Sequence, residues 1–253
     1  SKELKRTSTA KAVPLSSYKA LASGYFNDPE SGYQWNYSNS GSLPGGDEIN
    51  HLVAGLDAGC VEAWKKCTGD ESIIVAVMDE GVMWSHPDLV DNMWTNTDEV
   101  YLSGKDNDGN GYAGDVHGYN FVHNSGIITW NDVNDTGHGT HVASICAGRN
   151  GVAPEAELIV VKLGDTRERG FPRTTQMMTA LQYVISTSSK LTKPVAINIS
   201  YGHNYGDHRG NSLLETFVSQ ITGQWKCSIC IGTGNEGNSG RHKQLVETRQ
   251  SLD

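Results

Sequence analysis

From about residue 70 onward the chain alternates between two hydrophobic rhythms. Short, near-continuous apolar runs lie at about 73–78, 157–163, 194–200 and 226–231, with a weaker one at 117–122. They are strand-length and carry few polar residues, the pattern of strands buried on both faces. Between them the period lengthens to that of a helix. Met177, Leu181, Val184 and Ile185 share one face of a segment at about 174–189, and Leu213, Leu214, Phe217, Val218 and Ile221 share one at 211–222. A third helix is expected at 139–147, and a short one within 56–67. Buried strands alternating with amphipathic helices predict an α/β fold, a doubly wound parallel sheet covered on both faces. In such sheets ligands bind beyond the carboxyl ends of the strands.

Residues 1–44 break this rhythm. They are rich in Ser, Gly, Tyr, Asn and Pro, show no sustained periodicity, and read as an extension or linker lying on a surface. The 253 residues carry a formal charge of −9, which disfavours nucleic acid and anionic membranes as partners and is compatible with bound cations. No apolar run is long enough to cross a membrane, and Ser1 to Arg6 is not followed by the apolar core of a signal peptide. Five cysteines at irregular spacing give no disulfide framework. Cys227 and Cys230 form a Cys-x-x-Cys inside an apolar run and are expected to be buried structural thiols rather than a redox or metal pair.

The chemistry-bearing residues fall at the ends of these runs. Ile73 to Met78 leads into Asp79-Glu80-Gly81, and Ile229-Cys230-Ile231 leads into Gly232-Thr233-Gly234-Asn235-Glu236-Gly237. Between them lies Asp135-Thr136-Gly137-His138-Gly139-Thr140-His141, a loop running into a helix start. Taken singly, Asp79 could be a turn carboxylate and Asn235 an Asn in a left-handed turn. His138 and His141, three apart, could face one metal, but no His-Glu-x-x-His pattern supplies the rest of such a site.

Together, the order carboxylate, His, Asn at these positions resembles the subtilisin-like serine proteases, whose triad runs Asp, His, Ser along the chain. The resemblance covers about residues 45–242 and implies specific roles. Asp79 orients the imidazole, His138 is the general base, and Asn235 is the side-chain donor of the oxyanion hole. Ser200, Tyr201 and Gly202 would form one wall of the first specificity pocket and Gly232, Thr233 and Gly234 the other, with Glu236 near its base selecting Lys or Arg before the cleaved bond. From Gly151 to His242 the chain is more similar to the clostridial Csp-type subtilases, which carry an inserted module between the Asn and the Ser; residues 243–253 are then the start of a further segment. No Gly-Thr-Ser motif occurs. The fold is therefore expected to be incomplete at the C-terminus, the chain alone to be inactive, and the nucleophile to come from a C-terminal remainder. The expected setting is extracellular or in the cell envelope of a bacterium, with a peptide or protein substrate.

Two features depart from that pattern. Relatives usually place Ser or Thr after the catalytic Asp, where this chain has Glu80, and a second carboxylate there would raise the cost of ionising Asp79. This and the absent serine support the alternative of a non-catalytic peptide-binding or scaffold protein. Separately, Asp106-Asn107-Asp108-Gly109-Asn110-Gly111 matches the first half of a calcium loop. Asp106, Asp108, Asn110 and Asp115 are its expected ligands, although His117 stands where the bidentate Glu belongs.

Overall fold

The computed structural model describes residues 31–44, 52–164, 172–202 and 209–235. Residues 1–30 of the expected extension, and 243–253, lie outside them. The elements run α1 (Cys60–Trp64), β1 (Ile74–Asp79), β2 (Gly118–Asn120), α2 (His138–Ala147), β3 (Glu157–Lys162), α3 (Thr174–Leu191), β4 (Val195–Ile199), α4 (Leu213–Gln224) and β5 (Cys227–Ile231). The strands form one parallel sheet in the order β2-β3-β1-β4-β5. With β1 between β3 and β4, the chain reverses direction across the sheet at β1, which opens a crevice beyond its carboxyl end.

The two faces of β1 carry two separate cores. Ile74, Ala76 and Met78 pack with Ile197, Ile199 and residues of α3 and α4, including Leu181, Val184, Leu214 and Ile221. Val75 and Val77 pack with Leu158 and Val160 of β3 and with Ala143 and Ala147 of α2. Every β1 residue is buried, which explains why its hydrophobic run does not alternate. The start of α4 is written locally: Ser212 Oγ accepts from Glu215 N at 3.3 Å while the Glu215 carboxylate accepts from Ser212 N at 2.9 Å.

The final stretch of the N-terminal extension lies against α1. Tyr37 packs edge-on to Trp64 with ring centroids 5.5 Å apart, and Trp64 Nε1 donates to the Val152 carbonyl at 2.8 Å.

The Cys-x-x-Cys reading needs correcting. All five cysteines are free thiols, and Cys230 is exposed rather than buried. A strand alternates its faces every residue, so Cys227 and Cys230, three apart, point to opposite sides of β5. Cys227 packs against the α3–α4 core, whereas Cys230 emerges on the α2 side.

Candidate active site

Asp79 is the last residue of β1 and His138 the first of α2. Asp79 is 3 % exposed, and its carboxylate places Oδ1 at 2.9 Å and Oδ2 at 3.0 Å from His138 Nδ1. An ionised carboxylate only accepts, so Nδ1–H donates and Nε2 is turned away from Asp79. The His138 side chain is half exposed, open toward solvent at the carboxyl edge of the sheet.

Two glycines bring strand and helix together. A Cβ on Gly139 would lie 2.2 Å from the Gly81 carbonyl oxygen and 3.1 Å from the Asp79 side chain. One on Gly81, at φ 116°, would lie 2.0 Å from the Thr129 carbonyl oxygen. The Gly-His-Gly spelling is thus a requirement of close approach as well as of turning.

Glu80 is not where its neighbour in sequence suggests. Its carboxylate turns away from Asp79 and accepts from Thr136 N at 2.7 Å, Thr136 Oγ1 at 2.8 Å and His138 N at 2.9 Å. The hydroxyl that usually supports the Asp is replaced by main chain: Glu80 N donates to Asp79 Oδ1 at 2.8 Å.

A second buried network lies just upstream. Lys162, at the end of β3 and fully buried, places Nζ 2.6 Å from Asp135 Oδ2, 3.1 Å from Asp132 Oδ2 and 3.2 Å from the Thr129 carbonyl oxygen. Asp132 also accepts from Thr129 Oγ1 at 2.5 Å. Neither Glu80 nor Lys162 stands out in the sequence as a site-builder. The only signal for Lys162 is a cation directly after the apolar run Leu158 to Val161.

Ser200 directly follows β4, and Asn235, which is exposed, follows β5 at the same edge of the sheet. Asn198 Nδ2 donates to Ser200 Oγ at 2.8 Å. The two expected pocket walls are brought together and touch: a Cβ on Gly202 would lie 2.7 Å from Gly234 N and 3.1 Å from the Gly232 carbonyl oxygen. Tyr201 packs against the α3–α4 core, and Thr233 lies on the exposed β5 side of the contact. Glu236 lies outside the described residues.

In the acidic loop, Asp106 and Asp108 of the expected set meet a carboxylate from outside the motif. Glu99, Asp106 and Asp108 each present an oxygen within 4.8 Å of the others. Glu99 comes from a loop before the motif, so spacing within the motif could not reveal it. Its Oε1 accepts from Asn107 N at 2.6 Å and its Oε2 from Gly114 N at 3.0 Å. Asn110 Nδ2 donates to Asp108 and to Asp115 Oδ2, the latter at 3.0 Å. Asp115 sits behind this cluster, fully buried, and also accepts from Tyr183 OH at 2.9 Å and Asn96 Nδ2 at 3.1 Å. Burial pushes its carboxyl up to about 6, against the lowering effect of those three hydrogen bonds. His117, at the position of the missing Glu, instead places Nδ1 2.8 Å from the Trp94 carbonyl oxygen and stacks on Trp84.

Comparison with known proteins gives a consistent picture. The sequence model of the Subtilase family matches residues 70–251. "Subtilisin-like protease 1" of Plasmodium falciparum is 34% identical over 156 residues, covering 57% of this chain and 22% of that protein. "Halolysin-like extracellular serine protease Nep" of Natrialba magadii is 34% identical over 99 residues, covering 38% of this chain and 18% of that protein. The solved structure of the Clostridium perfringens CspB protease aligns at a TM-score of 0.50 and 27% identity, over 71% of this chain and 40% of that one. The chain thus spans about a fifth of the length of the curated relatives it first matches. Among the described residues no helix is long and apolar enough to cross a membrane.

Proposed function

As the chain belongs to the subtilase family, we propose that it carries the Asp-His half of a serine endopeptidase whose nucleophile lies on a segment outside these 253 residues. The observation that carries this reading is the pairing of a buried Asp79 carboxylate with a half-exposed His138 imidazole at 2.9 Å. Asp79 fixes the tautomer and stabilises the imidazolium, so Nε2 can take a proton from a serine hydroxyl and return it to the leaving amine. Asn235 would supply one oxyanion donor. The serine's own N–H would supply the other. Substrates are peptides or proteins, held along the β4 and β5 ends, and an extracellular setting is the one the Nep relative's name supports.

The exposure of one sheet face is compatible with a further segment that carries the serine. On the α3–α4 side Val195, Ile197 and Ile199 are buried. On the α2 side, Ala196 of β4 and its register partner Ser228 are exposed, as is Cys230 opposite a half-buried Asn198. A parallel sheet is normally covered on both faces. Among the described residues no helix covers this strip beside the helix that bears His138, which would accommodate a further segment carrying the nucleophile.

The Asp-Glu-Gly departure no longer favours a non-catalytic binding protein, because the Glu80 carboxylate is engaged by α2 and its approach rather than crowding Asp79. A calcium ion is a second part of the proposal. Glu99, Asp106 and Asp108 are an all-oxygen donor set suited to a hard cation, which would neutralise three converging carboxylates and brace the loop before β2. Lys190 Nζ, 2.8 Å from Asp108 Oδ2, supplies part of that charge already.

The test uses the protein joined to its downstream sequence. A fluorophosphonate should label the joined protein at one serine and leave the 253-residue chain unlabelled, and Asp79→Asn should lower turnover by roughly 10⁴-fold. Labelling of the short chain, or a joined protein indifferent to Asp79→Asn, overturns the reading.

A further inference from the structure

The end of β1 carries two consecutive carboxylates that reach the same residue by different routes. Asp79 holds the imidazole of His138, and Glu80, 5 % exposed, holds its main chain, accepting His138 N at 2.9 Å. The same Glu80 oxygen accepts both the N–H and the hydroxyl of Thr136, at 2.7 and 2.8 Å. These bonds fall where α2 is otherwise uncapped. Its N-cap is Gly137, left-handed at φ 79° and without a side chain to satisfy the first N–H groups of the helix. A carboxylate imported from β1 does so instead, with its charge at the positive end of the helix.

We propose that Glu80 is a positioning residue for the catalytic base. Together with Asp79 it fixes the main chain and the side chain of His138 from one rigid strand end. Ser or Thr at this position supports the Asp directly but is too short to span from the end of β1 to residues 136–138. A buried carboxylate is costly unless its oxygens are satisfied, and here one oxygen gathers three donors from the two residues that set the imidazole's origin. Because a misplacement of about 1 Å can cost a hundredfold in rate, holding the His138 backbone acts on catalysis without Glu80 touching substrate.

The inference rests on His138 being the base, but its test does not need turnover. In the protein labelled with ¹⁵N at histidine, the His138 Nδ1–H shared with Asp79 should give a downfield proton resonance. Glu80→Ala and Glu80→Ser should abolish that resonance, and Glu80→Gln, whose amide oxygen can still accept, should retain it. In the Gln variant the amide protons of Thr136 and His138 should move upfield as the charge on their acceptor is removed, a readout that stands even if the Ala and Ser variants fold poorly. In the version joined to its downstream sequence, Glu80→Ala should lower kcat by about ten- to a hundredfold at unchanged KM. A resonance that persists in Glu80→Ala, or Thr136 and His138 amides unmoved in Glu80→Gln, overturns the proposal. Resonance changes as expected, with no turnover from any version, would leave the positioning role standing and remove only the protease reading.

Discussion

Asp79 and Lys162 are ladder partners at the carboxyl ends of β1 and β3, and they hold the same loop at two places. Asp79 binds the imidazole of His138, while Lys162 reaches Asp135, three residues upstream, at 2.6 Å. Because two adjacent rigid strands supply the anchors, the segment from Thr129 to His138 cannot shift against the sheet without breaking a buried charge contact.

Lys162→Met should therefore be strongly destabilising. It leaves Asp135, whose side chain is wholly buried and whose Oδ1 already lacks a partner, as an uncompensated charge. The expected loss is about 3–5 kcal/mol in denaturant unfolding. Lys162→Met combined with Asp135→Asn should recover much of it. A single variant within about 1 kcal/mol of the parent would show the network to be incidental.

Asp115 should give stability a distinct pH dependence. Its folded carboxyl is pushed up to about 6 by burial, above the ordinary carboxylate value near 3.8. Between those values the folded state binds a proton that the unfolded chain has released, so stability falls as pH rises through the window. The contribution is at most about 3 kcal/mol, two units at about 1.4 kcal/mol each. In chelator, Asp115→Asn should flatten the change in Tm between pH 4 and 6. An unchanged slope would assign it to other groups.

Calcium affinity distinguishes the two ligand sets. If the oxygens of Glu99, Asp106 and Asp108 hold the ion, Glu99→Gln should weaken binding at least tenfold by calorimetric titration, since it removes a charged ligand. Asp115→Asn should weaken it less, because Asp115 contacts Asn110 rather than joining the cluster. The reverse ranking would restore the set read from the motif alone.

Cys230 reports on the uncovered face. It is exposed in this chain, whereas Cys60 is buried. Maleimide should modify Cys230 readily here and far more slowly once the downstream sequence is joined, if a further helix covers the α2 side of β4 and β5. Equal rates in both proteins would place that segment elsewhere.

Much of this was legible from sequence, for identifiable reasons. The apolar runs at 73–78, 157–163, 194–200 and 226–231 became β1, β3, β4 and β5 within a residue or two, because strands buried on both faces have no polar side to blur them. Local pattern placed Asp79 at a strand end and His138 at a helix start; their pairing was implied only by the resemblance to the subtilisin-like proteases, since taken singly Asp79 could be a turn carboxylate. The alternation of Cys227 and Cys230 across β5 follows from the pleat, but which of the two faces remains open does not, since that depends on what covers it.

What only the tertiary structure decided were partnerships between residues distant in sequence. Glu80 looked like a second charge beside Asp79 and turned out to hold Thr136 and His138, 56 and 58 positions away. Glu99 joined the acidic loop from outside its motif, and Asp115, inside the expected set, was drawn behind it by Tyr183, 68 positions away. The physical reason is common to all three. Period and propensity act along the chain, whereas a carboxylate's direction is chosen by whichever donors the packed elements leave unsatisfied, and those appear only when the helices have docked on the sheet.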